Sequence, residues 1–208
     1  MRALLPALIA LPVALIASAD GNRSTRSPFG SADLAQLNFA RVAYESEGGM
    51  GEAYYAFDGR LWARWETDFP EGDQNFNKRV AQLTRIHVNT AVTTRRLDAP
   101  DLGDFPILYM VDPGWMVLSD EEIAGLRRYL ASGGFLWVDD FWGDAEWQQF
   151  AEVMRRVMPG REWRVLTPPH PIFSTVYEMQ EMPQIPAEPI AYPQGPTAEP
   201  AGMHRYLL

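Results

Sequence analysis

Cysteine is absent from the 208 residues. That absence excludes disulfides, thiolate-bound zinc, a cysteine nucleophile and a lipidated amino-terminal cysteine. Histidine is scarce: the 3 present are His87, His170 and His204, too few to build an imidazole metal cage with ease. Positive charge is also short, with 18 Lys and Arg against 27 Asp and Glu and a formal net charge of -9. The chain therefore lacks the basic footprint of a nucleic-acid binder. No apolar run reaches the ~20 residues that a membrane span requires. What is plentiful is apolar and aromatic side chains, 47% and 12% of the sequence, enough for one domain with a sizeable core.

The amino terminus reads as an address. Met1-Arg2 precedes an almost unbroken run of Ala, Leu, Ile and Val to Ala17, and Ala17-Ser18-Ala19 has the small-x-small form that signal peptidase cuts. Residues 1–19 are thus expected to be a cleaved signal peptide, with an uncleaved anchor as the alternative. The mature chain is expected outside the cytoplasm, in the periplasm, with no span of its own. Residues 20–36, rich in Ser, Gly, Asn and Arg, read as a linker. The α/β domain is expected over 37–186, and 187–208 is a proline-rich stretch, read as a truncated last part of the same domain.

Strand and helix patterns alternate through the domain. Asn38 to Tyr44 is a strand that stops before Gly48-Gly49-Met50-Gly51. From Asp73, Phe76, Val80 and Leu83 share one helical face. Ile86 to Val92 is a second strand, and Phe105 to Val111, apolar throughout, a third. Ser119-Asp120-Glu121-Glu122 is a capping box, followed by a stripe of Ile123, Leu126 and Leu130 and a stop at Gly133-Gly134. Phe135 to Asp139 is a fourth strand, expected to be buried. The helix carrying Trp147, Phe150, Ala151, Met154 and Met158 comes next, then a fifth strand from Trp163 to Leu166. Strands separated by helices of this length predict a three-layer α/β sandwich with a mostly parallel, flavodoxin-like sheet.

Familiar catalytic signatures are missing. Gly49-Met50-Gly51 is followed by Tyr54 where a dinucleotide fingerprint requires Gly or Ala. The chain has no phosphate-binding P-loop, zinc-helix or nucleophile-elbow motif. Geometry offers a better guide, because ligands of open parallel sheets sit beyond the carboxyl ends of the strands. Those ends place Tyr44, Asp112 and Trp115, and the pair Asp139-Asp140, at one edge, with His170 on a later loop. Adjacent acids can hold a divalent cation or supply a general base; the plainer reading is that both cap loops and helices. Among the 7 tryptophans, Trp137 and Trp147 fit the core, whereas Trp62, Trp65, Trp115 and Trp142 fall in predicted loops. There they either form platforms for sugar rings and partner surfaces or pack loops onto the sheet.

Four segments carry a family resemblance: Trp62 to Pro70, Leu126 to Leu130, Gly133 to Gly143 (GGFLWVDDFWG) and His170 to Phe173. Over roughly Asn38 to Pro186 the chain resembles DUF4159, a bacterial domain of unknown function. The resemblance implies a fold like that of class I glutamine amidotransferases and ThuA-like proteins, and a setting in the cell envelope. It also implies a domain that continues past Leu208. The amidotransferase cysteine has no counterpart, since the matching turn is Asp112-Pro113-Gly114-Trp115, so glutaminase chemistry is not expected. Two functions remain. One is a non-catalytic module that binds a cell-envelope protein or glycan in the strand-end cleft. The other is an exported hydrolase-like enzyme using Asp139 or Asp140 with His170, with or without a divalent cation.

Overall fold

The computed structural model describes residues 36–140 and 143–181. The expected signal peptide, nearly all of the linker, Trp142 and the proline-rich stretch lie outside them. Four parallel strands form the central sheet: β1 (Phe39–Val42), β5 (Thr94–Arg95), β6 (Ile107–Val111) and β8 (Phe135–Asp139), in the order β5-β1-β6-β8. Strand alternation gives the sheet two unlike faces. Ala40, Val42, Leu108 and Met110 are fully buried on one of them, in a core shared with α2 (Asp120–Ala131) and α3 (Gly143–Val157). Phe39, Arg41, Tyr109 and Trp137 lie on the other, under α1 (Glu71–Leu83), where Phe76 packs 4.7 Å from Phe39 and 5.3 Å from Trp137 between ring centres. Helices therefore cover both faces, the three-layer α/β arrangement expected from the alternation.

The cap of α2 forms as its sequence requires. Ser119 Oγ accepts from Glu122 N–H at 3.2 Å while Glu122 Oε2 accepts from Ser119 N–H at 3.0 Å. At its other end Tyr129 is a stitch between strands: its hydroxyl lies 3.0 Å from the carbonyl oxygens of Phe105 and Phe135 and accepts from Phe135 N–H at 3.1 Å. Gly134 lies flat against that ring, and a Cβ there would sit 2.3 Å from Tyr129 Cζ. The Tyr-Leu…Gly-Gly-Phe spacing is thus a packing requirement.

Several expectations need correcting. Helix α1 begins at Glu71 rather than Asp73, and its buried residues are Asp73 and Asn77, not Leu83, which is 77% exposed. The cause is Arg41, whose buried guanidinium in the sheet requires a carboxylate from the helix above it. Residues 86–92 form no strand; only a bridge between Leu37 and Val88 occurs there, and pairing with β1 waits for Thr94–Arg95. Among the described residues strand β8 is an edge strand with one neighbour, and Phe135 is 60% exposed rather than buried. Nor is there a strand at 163–166. Trp163 instead packs edge-on against Trp147 at 4.7 Å and beside Phe150 at 5.6 Å, burying its ring on α3 without a ladder.

Trp62, expected in a loop, belongs to a hairpin of β3 (Tyr54–Phe57) and β4 (Arg60–Ala63). Its two-residue turn is Asp58-Gly59, both at positive φ, the geometry that matches strand twist. A second small ribbon pairs β2 (Glu45–Ser46) with β7 (Met116–Val117). No helix among the described residues is long and apolar enough to cross a membrane.

Candidate functional site

The end of β6 is the centre of the site. Asp112 follows Val111 in a left-handed conformation, φ 52° and ψ 41°, which Asp tolerates better than most residues because of its short polar side chain. Its N–H donates to Asp139 O at 2.9 Å, joining the ends of β6 and β8. The Tyr44 hydroxyl, buried after β1, is shared between the carbonyl oxygens of Val111 at 2.7 Å and Asp112 at 2.8 Å. The turn after Asp112 also packs on α3: Trp115 Nε1 donates to Glu146 Oε1 at 3.2 Å. Gly114 permits that approach, since a Cβ there would lie 2.4 Å from Glu146 Cβ.

Arg64, directly after β4, reaches into this edge. Its Nη1 donates to Asp112 Oδ2 at 2.7 Å, its Nε to Glu52 O at 2.6 Å, and its Nη2 to Gly51 O. One guanidinium thus ties the glycine-rich loop to the end of β6. The other carboxylate oxygen of Asp112, Oδ1, is buried and has no hydrogen-bond partner. Burial pushes the Asp112 carboxyl up to about 7; Arg64 pulls against that shift, and the negative charges of Glu146 and Asp140 add to it. Asp112 therefore changes charge near neutral pH, far from ordinary carboxylate behaviour.

Neighbouring acids extend the feature. Burial raises the Asp139 carboxyl, although Tyr109 donates to its Oδ2 at 3.3 Å and Arg41 opposes the shift. Asp68 and Asp140 also stand in left-handed conformations, at φ 57° and 61°. Burial raises the Tyr55 hydroxyl, and the charges of Asp68, Asp112 and Glu66 push it the same way. Behind them Arg41 pairs with Asp73 at 2.6 Å and donates from Nη1 to Trp65 O at 3.1 Å and Thr67 O at 2.6 Å. Its guanidinium also lies 4.8 Å from the centre of the Tyr109 ring. Arg41 so fixes the segment that carries Arg64 and Asp68.

Five of the residues anticipated from sequence fall at this edge: Tyr44, Asp112, Trp115, Asp139 and Asp140. Trp62 is in strand β4 rather than a loop, stacked near Tyr55 and covered by Arg60 at 3.8 Å. Trp65 is a packing residue, edge-on to Phe69 at 5.5 Å and set against the core. His170 is exposed, and its Nδ1 accepts from Ile172 N–H at 3.3 Å within its own turn. Trp142 lies outside the described residues. Among the described residues no three acidic or imidazole side chains group closely enough to hold a metal ion. Arg64, Glu146, Asp68 and Tyr55 were not anticipated. Arg64 stands inside the Trp-Ala-Arg-Trp segment, but only the three-dimensional path of the hairpin sends it to Asp112.

A family model described as Domain of unknown function (DUF4159) matches residues 38–205. No curated protein gives a match to the chain.

Proposed function

The chain belongs to the DUF4159 family, and from that premise we propose that it is an exported, non-catalytic binding module of the bacterial cell envelope whose ligand sits in the strand-end cleft. The observation that carries the reading is Asp112, buried at the end of β6 with one oxygen on Arg64 and the other unpartnered. A buried polar atom left without a partner costs stability, and such a cost is commonly retained where a ligand supplies the missing bond. Export rests on the Met1-Arg2 start, the apolar run and the Ala17-Ser18-Ala19 site.

The hydrolase reading has less support, because Nδ1 of His170 is taken up by Ile172 N–H of its own turn. Amide chemical-shift mapping of the full chain with soluble peptidoglycan fragments tests the binding reading. Saturable shifts at Gly51, Arg64, Asp112 and Asp139 are expected, with no turnover of the fragments. Shifts confined to other surfaces, or cleavage products, overturn it. Amino-terminal sequencing of protein recovered from its host tests export: a start near Asp20 supports it, and an intact Met1 on cytoplasmic protein refutes it.

A further inference from the structure

Helix α3 runs away from the strand-end cleft. Glu146, in its first turn, meets Trp115 beside Asp112, and Val157 at its end lies about 16 Å further along the axis, at ~1.5 Å per residue. A cavity of about 650 Å³ opens at that far end. Its floor is Leu130 from the last turn of α2, Met154 of α3, Met158 just after it, and Trp163, which packs on Trp147 and Phe150. Met154 is buried, but Leu130, Met158 and Trp163 are half-buried and keep apolar surface in water. The rest of the lining is Arg155, Arg161 and Glu162, all exposed. An apolar floor of this volume with a few polar groups at its rim is the usual form of a small-molecule site.

Charge marks the same place. Residues 155–164 hold four arginines and one acid, in a chain whose net charge is -9. Arg155 and Arg156 meet Glu152 and Asp120 in exposed pairs, of a kind that contributes little. The side chains of Arg161 and Arg164 enter no ion pair among the described residues. The carbonyl oxygens of Arg156 and Val157, the negative end of the α3 dipole, are taken up by Arg127. We propose that this cavity takes a single-chain anionic amphiphile, with its acyl chain on the apolar floor and its carboxylate or phosphate on Arg161. The chain removes Leu130, Met158 and Trp163 from water, and the two methionines can adjust to its bends. The free guanidinium offers the head two N–H donors in one plane, a charge-assisted pairing. A cationic head would have Glu162 in its favour and two guanidinium groups against it, and a neutral head would leave Arg161 as it is. No lining residue is shared with the Asp112 site, so the proposal stands apart from the cleft reading.

Isothermal titration of the full chain with decanoate, decanol and decyltrimethylammonium, each below its micelle concentration, tests the proposal. Decanoate is expected to bind one-to-one, about tenfold more tightly than the cation and about fivefold more tightly than the alcohol. Arg161→Gln is expected to weaken decanoate about fivefold and to leave decanol within about twofold. Arg161 is exposed and holds no other group, so this variant keeps the fold, which an unchanged urea midpoint checks. Met158→Trp, which fills the cavity, is expected to weaken decanoate and decanol alike, by about tenfold. Arg79→Gln, the same charge change on the exposed side of α1, is expected to leave decanoate within about twofold. Equal weakening by Arg79→Gln and Arg161→Gln would overturn the proposal in favour of general attraction to basic residues. Equal affinity for the three heads overturns the anion, and decanoate binding that Met158→Trp leaves intact overturns the cavity. Binding to phosphatidylglycerol vesicles without saturable binding of decanoate assigns the arginines to a membrane surface and overturns the proposal, as does the failure of both.

Discussion

Asp112 shows how one side chain can carry opposed demands. Its ion pair with Arg64 favours the charged form, yet burial among other acids outweighs that pairing and sets the carboxyl to about 7. The folded chain therefore holds a proton that the unfolded chain, with its ordinary value of 3.8, releases. The stability associated with that proton is fully present below the unfolded value and is lost as pH rises to about 7, by up to about 4 kcal/mol. Urea unfolding across pH 4 to 8 should show the decline in the native protein and a flatter profile for Asp112→Asn. Parallel profiles would mean that Asp112 is not the group responsible. Arg41 and Asp73 are the opposite case, a buried pair in which each charge is met. Asp73→Ala should cost about 3–5 kcal/mol, because it strands a buried guanidinium. Replacing both, Arg41→Met with Asp73→Leu, should recover part of that loss. Recovery should be incomplete, since the carbonyl oxygens of Trp65 and Thr67 also lose their donor. Equal losses in the single and double variants would show that the ion pair is not the source of the cost.

Among the elements, those with local chemical signals were legible from sequence. The α2 cap, its glycine stop and the apolar β6 need no tertiary information, because caps and buried strands are written in adjacent residues. Ser119→Ala should accordingly cost about 1 kcal/mol in urea unfolding. Gly134→Ala should cost more, about 2–3 kcal/mol, because its new methyl meets the Tyr129 ring instead of solvent. If the two variants shift the midpoint equally, Gly134 is not held against that ring. What was not legible depended on partners. The burial of β8 was overestimated because an apolar run does not say how many neighbours a strand has. The face of α1 was legible through Phe76, which packs on Phe39 and Trp137, but its polar part was not, because Asp73 and Asn77 look solvent-facing until Arg41 appears beneath the helix. Asp58-Gly59 between Tyr-Tyr-Ala-Phe and Arg-Leu-Trp-Ala was a readable hairpin signal. The site was legible as an edge, through the strand-end rule, but not as a constellation: Arg64 lies 48 positions from Asp112 in the chain.

At the scale of the whole molecule, one sheet separates two kinds of packing. The face under α2 and α3 is apolar, its aliphatic strand residues packed with Phe105, Tyr129 and Phe150, while the face under α1 holds an arginine, an aspartate and aromatic rings. The β3–β4 hairpin stands outside both layers, with Phe57 and Leu61 more than half exposed, and a two-stranded ribbon has little stability of its own. Arg64 clasps it to the end of β6, its fork spanning Asp112 and two backbone carbonyl oxygens, while Arg41 holds the segment that follows. Lysine keeps the charge but cannot reproduce three fixed bonds from one planar group. Arg64→Lys should let the hairpin open locally while the apolar core under α2 and α3 keeps the fold. Trypsin should then cut after Arg60 several times faster than in the native protein, with the urea midpoint moving by less than about 1 kcal/mol. If cleavage and global unfolding instead rise together, the hairpin is part of the cooperative core, and Arg64 is a stability residue rather than a local clasp.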